Sequence, residues 1–308
     1  MHLYGFEFAA MASNHELKLW SDDETRAHEV AARAIADVQR IERKYSRFRE
    51  DSVIAAINAA AGSHRVPIDA ETAALLEYAD ACYELSGGAF DVTSGVLRRA
   101  WNFRRHPPAL PTAAAVQSLL ELVGWRDVER SAHEVFLRRA GMELDFGGIA
   151  KEYAADRVAS VCVDAGLTHG LINLGGDVRV MGAQPDGSPW RIGIGHPRAE
   201  GAIASVALCG GAVATSGDYE RFFDIDNVRY CHIIDARTGW PVTQWQSISV
   251  VAPLCVVAGS YATIAMLMQE AAVAFLRDSG VAYVAVDRLG RVSDGMESPA
   301  ADPATPST

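Results

Sequence analysis

Apolar residues alternate at the start of the chain, at Tyr4, Phe6 and Phe8 and again at Leu17 and Leu19 after a polar break, which predicts two strands or a hairpin. The period then lengthens. Val30, Ala34, Val38, Ile41 and Tyr45 recur at helical spacing behind a capping box formed by Ser21 and Glu24. A second helix is expected to open at Asp51 and stop at Gly62, and a third to run from an Asp69 cap through Leu75, Leu76, Ala79 and Tyr83 to Gly87 and Gly88. Past Pro107 and Pro111, a helix capped by Thr112 leads to two strand-like runs, VFL and MELDF. The second run ends at Asp145, Gly147 and Gly148 make a tight turn, and a helix follows from Ile149 to Ala165.

Beyond Gly166 the pattern changes to short strands separated by glycine: LINLG, VRVMG, WRIGIG, IASVAL, AVATSG, CHIID and ISVVAP. Two helices between residues 256 and 278 and a last strand, VAYVAVD, close the unit. The pattern describes an α+β fold with mostly antiparallel sheets flanked by helices, one domain over residues 1–293. Residues 294–308 form a tail rich in Pro, Ser, Thr and acid, expected to be disordered.

Composition narrows the function. With 308 residues and 49% hydrophobic content, a sizeable core is available. A net charge of -11 supplies no basic field for nucleic acid or an anionic membrane, so an anionic ligand must be held by local groups. The five cysteines are widely spaced, with no CxxC pair, and read as small buried residues in a reducing compartment. No basic stretch followed by an apolar one opens the chain, and VVAPLCVVAGSYATIAMLMQ is interrupted by Pro253 and Gly259. A cytoplasmic location without membrane insertion is the expectation.

Four clusters carry candidate chemistry, and each has a plain structural reading beside it. In ELDFGGIAKEYAADRV a glycine turn at a helix start lets backbone N–H groups approach an anion while Lys151 adds charge, although a structural tight turn explains the same residues. In HIIDARTGWPV, His232 near Asp235 suits a general base, or a capped turn. VATSGDYERF offers Thr215 and Ser216 as hydrogen-bonding groups for a phosphate or a flavin edge, or a polar hairpin. SGGAFDVTSGVLRRAWNF presents Phe90 and Trp101 for ring stacking and Asp91 as an acceptor, or ordinary core aromatics.

Taken in order, YSRFREDSVIAAIN, GGAFDVTSGVL, LDFGGIAKEYAADRV, LINLGGDVRV, AVATSGDYERFF and HIIDARTGWPV resemble the ApbE-like family of FAD:protein FMN transferases over nearly the whole chain. The resemblance implies an enzyme that uses FAD and magnesium to move FMN onto a threonine hydroxyl of a partner flavoprotein, releasing AMP. It implies FAD contacts from Met11, Phe48, Ala89, Phe90, Asp91, Asp145, Lys151, Ser216 and Ile234. The Gly148 carbonyl and the Thr263 side chain would hold magnesium, and His232 would activate the acceptor hydroxyl.

The chain departs from the family pattern at the metal. Where the family has an aspartate four residues before the metal-binding threonine, this chain has Gly259. Loss of one charged ligand weakens cation binding by roughly ten- to a hundred-fold. That leaves open a flavin-binding carrier without turnover, an FAD pyrophosphatase, or another oxygen, such as Ser260, completing the metal shell. Glu152 where glycine is usual, Ala12 and Ser13 where Gly-Thr is frequent, and Ala236 where proline is usual are smaller departures.

Overall fold

The computed structural model describes residues 1–295, so most of the expected disordered tail lies outside the described residues. The opening alternation forms the hairpin His2–Ala10 and Ser13–Ser21, whose tip is Met11 and Ala12. It sits at one end of an eight-stranded antiparallel sheet. From that end the order continues Gly170–Leu174, Asp177–Gly182, Gly211–Gly217, Trp245–Ala252, Ala282–Asp287 and Val292–Asp294. The last strand was not expected, and it carries the ordered unit beyond residue 293.

Alternation along the strands builds two cores, because successive side chains point to opposite faces. Ile172 and Leu174 join the large core beneath the helices Glu24–Tyr45, Ala150–Asp164 and Cys255–Met268. Leu171 faces the other way, with Val178, Val180 and Val213, into a smaller core under the hairpin Trp190–Gly195 and Ala202–Leu208. Among the described residues one helical stretch is long and apolar enough to span a bilayer, Cys255–Asp278; it is broken at Gln269 (φ 48), and Ile264, Met266 and Leu276 on it are buried in the large core.

Several local expectations are corrected. Asp23, not Ser21, caps the first helix, accepting from the Arg26 N–H, while Ser21 Oγ braces the Asp23 backbone. The second helix is shorter than expected, Val53–Ala59 with Ser52 as cap. MELDF is not a strand, because its backbone finds other partners. Asn58 bonds both the N–H and the carbonyl of Leu144, and the Asp145 N–H donates to Val92. CHIID is split: Cys231 ends one hairpin and Ile234–Asp235 begins another, leaving His232 between them. Cys209 is exposed rather than buried.

Candidate functional site

Asp145, at the end of MELDF, accepts from the Gly147 N–H at 2.9 Å and pairs with Arg47. The short helix Val92–Arg99 crosses so close that a Cβ on Gly95 would lie 2.6 Å from the Asp145 Cβ. Only glycine leaves room there. A Cβ on Gly148 would meet the Phe90 ring at 3.4 Å, so the glycine turn lies on that aromatic. Ala89 in turn accepts from the Ala236 N–H at 3.4 Å, joining this wall to the segment that carries His232 and Ile234. Asp91 has a positioning role: its oxygens accept from the Thr93 N–H and hydroxyl, both at 2.7 Å, and from the Trp125 N–H at 3.1 Å. Phe48 is 77% exposed, with the Arg47 guanidinium 4.7 Å above its ring.

A second cluster forms where two helices meet the sheet. Lys151 Nζ lies 2.6 Å from Asp177 Oδ2, and Asp177 Oδ1 also accepts from the Thr215 N–H at 3.2 Å. Burial would lower the Lys151 pKa, but the carboxylates of Asp177 and Glu152 outweigh it and hold the ammonium above the usual lysine value. Next along the strand, Ser216 Oγ is 2.7 Å from Thr263 Oγ1 on the helix Cys255–Met268. A Cβ on Gly217 would strike the Tyr219 ring at 2.3 Å, so the chain turns away through a position that admits no side chain.

His232 lies close enough to both clusters to feel Lys151 of one and Arg47 of the other. Its side chain is solvent-exposed, yet surrounding protein strips hydration from the ring, and Arg221, Lys151 and Arg47 add positive potential. These effects hold its pKa below the ordinary histidine value, so the imidazole is neutral near pH 7. Met11, at the hairpin tip with φ 47, donates its N–H to Glu42 Oε1 at 2.7 Å. Two open grooves of about 630 and 420 Å³ flank this hairpin, and none of the expected site residues lines either.

The donors around the glycine turn are hard oxygens, the class magnesium prefers. Ala150 and Tyr153 donate back to Phe146 and Ile149, whereas no backbone N–H among the described residues donates to the Gly148 carbonyl. Thr263 presents its hydroxyl one helical turn beyond Gly259. Ser260 does not help, because it is fully buried beside Tyr78 and Cys82 on the helix Ala70–Leu85. Glu152 is 8% exposed, its Oε2 has no hydrogen-bond partner, and burial together with Asp177 raises its pKa. Among the described residues no three His, Cys, Asp or Glu side chains cluster for a metal, so a cation here would be held by one carboxylate, Glu152, with the Gly148 carbonyl and the Thr263 hydroxyl.

The sequence did not single out Arg47 or Asp177. Both lie inside quoted motifs, but nothing in the spacing says that one will pair with Asp145 and the other with Lys151.

An antiparallel sheet flanked by helices, with a glycine turn, the Lys151–Asp177 ion pair and a neutral histidine, is an α+β architecture carrying groups suited to an anionic ligand. The ApbE family model matches residues 11–285, and the chain belongs to that family. An FAD:protein FMN transferase of Treponema pallidum is 36% identical over 283 residues, covering 84% of this chain and 78% of the relative. One of Klebsiella pneumoniae is 35% identical over 254 residues, covering 81% and 77%. Among solved structures, the ApbE protein of Thermotoga maritima superposes with TM-score 0.89 at 31% identity, covering 96% of this chain and 97% of that one. The apo flavinyl transferase ApbE of Pseudomonas stutzeri gives 0.86 at 27% identity, covering 96% and 95%.

Proposed function

We propose that this chain transfers FMN from FAD to a threonine hydroxyl of a partner flavoprotein, releasing AMP, with magnesium as the metal. What supports the reading is the chain of contacts from Lys151 to Asp177 and from Asp177 to the Thr215 N–H, with Lys151 and Arg47 close enough to act on His232, in a chain whose relatives are FAD:protein FMN transferases.

The chemistry follows from the residues. The threonine oxygen forms a bond to the phosphorus of the FMN half, and the bond from that phosphorus to the bridging oxygen breaks, so AMP leaves with the bridging electrons. His232, neutral and reachable from solvent, takes the hydroxyl proton. Lys151 holds positive charge near the diphosphate. Its pairing with Asp177 fixes the ammonium in place without discharging it. The exposed Phe48 offers an aromatic face to the flavin, while Phe90 is buried in the core and backs the glycine turn at Gly148, and Met11 packs against the core from the hairpin tip. Magnesium, when bound, supplies charge neutralisation on the diphosphate oxygens, and the Gly148 carbonyl and Thr263 hydroxyl would hold it.

The test is a transfer assay with the full chain, FAD, magnesium and an acceptor domain bearing a flavinylation threonine. The expected outcome is an acceptor heavier by one FMN moiety. FAD binding with no labelled acceptor across several acceptors and metals would refute the reading, and AMP with free FMN in the absence of acceptor would move the assignment to a pyrophosphatase. His232→Asn should lower transfer by roughly 10²- to 10⁴-fold while leaving FAD affinity nearly unchanged. Because the histidine pKa is lowered, the acid limb of the kcat/KM profile should fall below about pH 6.5.

A further inference from the structure

Glu152 and Gly259 lie on different helices, and the structure places them face to face. A Cβ on Gly259 would sit 2.5 Å from Glu152 Cγ, 2.8 Å from Oε1 and 3.0 Å from Cδ. The space a side chain at 259 would occupy is therefore filled by the carboxylate of Glu152. These are the two positions at which the chain departs from the resemblance in opposite senses, gaining an acid at one and losing one at the other.

The surroundings explain what that carboxylate lacks. Lys151 bonds Asp177 at 2.6 Å and reaches Glu152 only through its field, so the Glu152 carboxylate has no direct cationic partner. Its Oε2 is buried without a partner, a condition that is costly unless a missing ligand meets it. The spacing supplies the other donors. Gly148 precedes Glu152 by four residues and Thr263 follows Gly259 by four, so at each helix a donor stands one turn from the point where the helices touch.

We propose that Glu152 is the carboxylate ligand of the divalent cation, reaching across from the helix Ala150–Asp164 into the place left by Gly259. The inference rests on the metal dependence of the transferase reading. It makes Gly259 half of an exchange rather than a loss of function. Glutamate, one methylene longer than aspartate, has the reach to enter from the neighbouring helix.

The test is a titration of the full chain with Mn²⁺ in the presence of FAD, following free Mn²⁺ by electron paramagnetic resonance with an FAD-only blank. The titration is repeated with Glu152→Gln and with the exchange variant Glu152→Gly/Gly259→Asp. Native protein and the exchange variant should bind within a few-fold of each other, and Glu152→Gln should bind ten-fold more weakly or worse. The metal-free melting temperature of Glu152→Gln should be no lower than native, which separates ligand loss from misfolding. Binding by Glu152→Gln within two-fold of native overturns the proposal. If the exchange variant binds and the native chain does not, Glu152 is refuted and the metal-dependent reading stands. If neither binds, both fall.

Discussion

Asp156 and Glu152 lie one turn apart on the same helix, both face the helix Cys255–Met268, and they are finished very differently. Asp156 is fully engaged. Its Oδ1 accepts from the Cys255 N–H at 2.9 Å and Arg179 Nε at 3.0 Å, and its Oδ2 accepts from the Val256 N–H at 2.9 Å. It holds the first turn of the neighbouring helix, whose N-cap, Leu254, offers no side-chain acceptor. Glu152 Oε2 has no such donor. Two acids on one helix face therefore do different work: the satisfied one docks the helices, and the Oε2 of the more deeply buried one has no hydrogen-bond donor from the protein.

Removing Asp156 should give the largest stability effect. Asp156→Ala strips an acceptor from two helix-start N–H groups and leaves Arg179 without its carboxylate partner, though still bonded to the Gly211 carbonyl, a loss of about 3–5 kcal/mol. Chemical denaturation of native and variant checks this. A change below about 1 kcal/mol would erase the contrast with Glu152.

Gly259→Ala is a subtler probe and should change sign with its background. In the native chain the added Cβ runs into Glu152, so the variant should lose about 1–3 kcal/mol despite alanine's better helix propensity. In a Glu152→Ala background the obstruction is gone, and the same substitution should stabilise by up to about 1 kcal/mol. A double-mutant cycle without that reversal would mean the two positions do not compete for one space.

The comparison also shows what the sequence could and could not reveal. Periodicity gave the opening hairpin and the main helices, because Leu17 and Leu19, or Val30 through Tyr45, report directly which face is buried. It failed at MELDF, where a side chain, Asn58, does the work of a neighbouring strand, a long-range substitution no local pattern encodes. The motifs marked Asp145, Ser216 and His232 as residues of interest, yet their meeting depends on the Ala89 to Ala236 and Ser216 to Thr263 contacts between distant segments. Glu152 and Gly259 were visible only as two separate oddities. That they are one feature follows from helix packing, since more than a hundred residues separate them along the chain.

A third carboxylate sharpens the contrast at the smallest scale. Glu71 accepts from Arg40 at 2.7 and 2.8 Å, from Lys44 at 2.6 Å and from the Tyr153 hydroxyl at 2.8 Å, an over-supplied counterpart to Glu152. Its hydrogen bonds to Arg40, then to Lys44 and Tyr153, outweigh burial and hold its pKa well below the carboxylate range. A depressed folded-state pKa contributes stability that is complete above the unfolded value, near 4.3, and is lost as pH falls toward the folded value. Glu71→Gln should therefore cost stability at pH 7 and cost progressively less as pH drops below about 4.5. Because the group is partly solvated, the neutral-pH cost should be only about 1 kcal/mol, a melting shift of roughly 2–4 °C. Melting curves of native and variant from pH 7 to pH 3 give the readout: the two should converge at the acid end, and parallel curves would show that Glu71 is no better partnered in the fold than out of it.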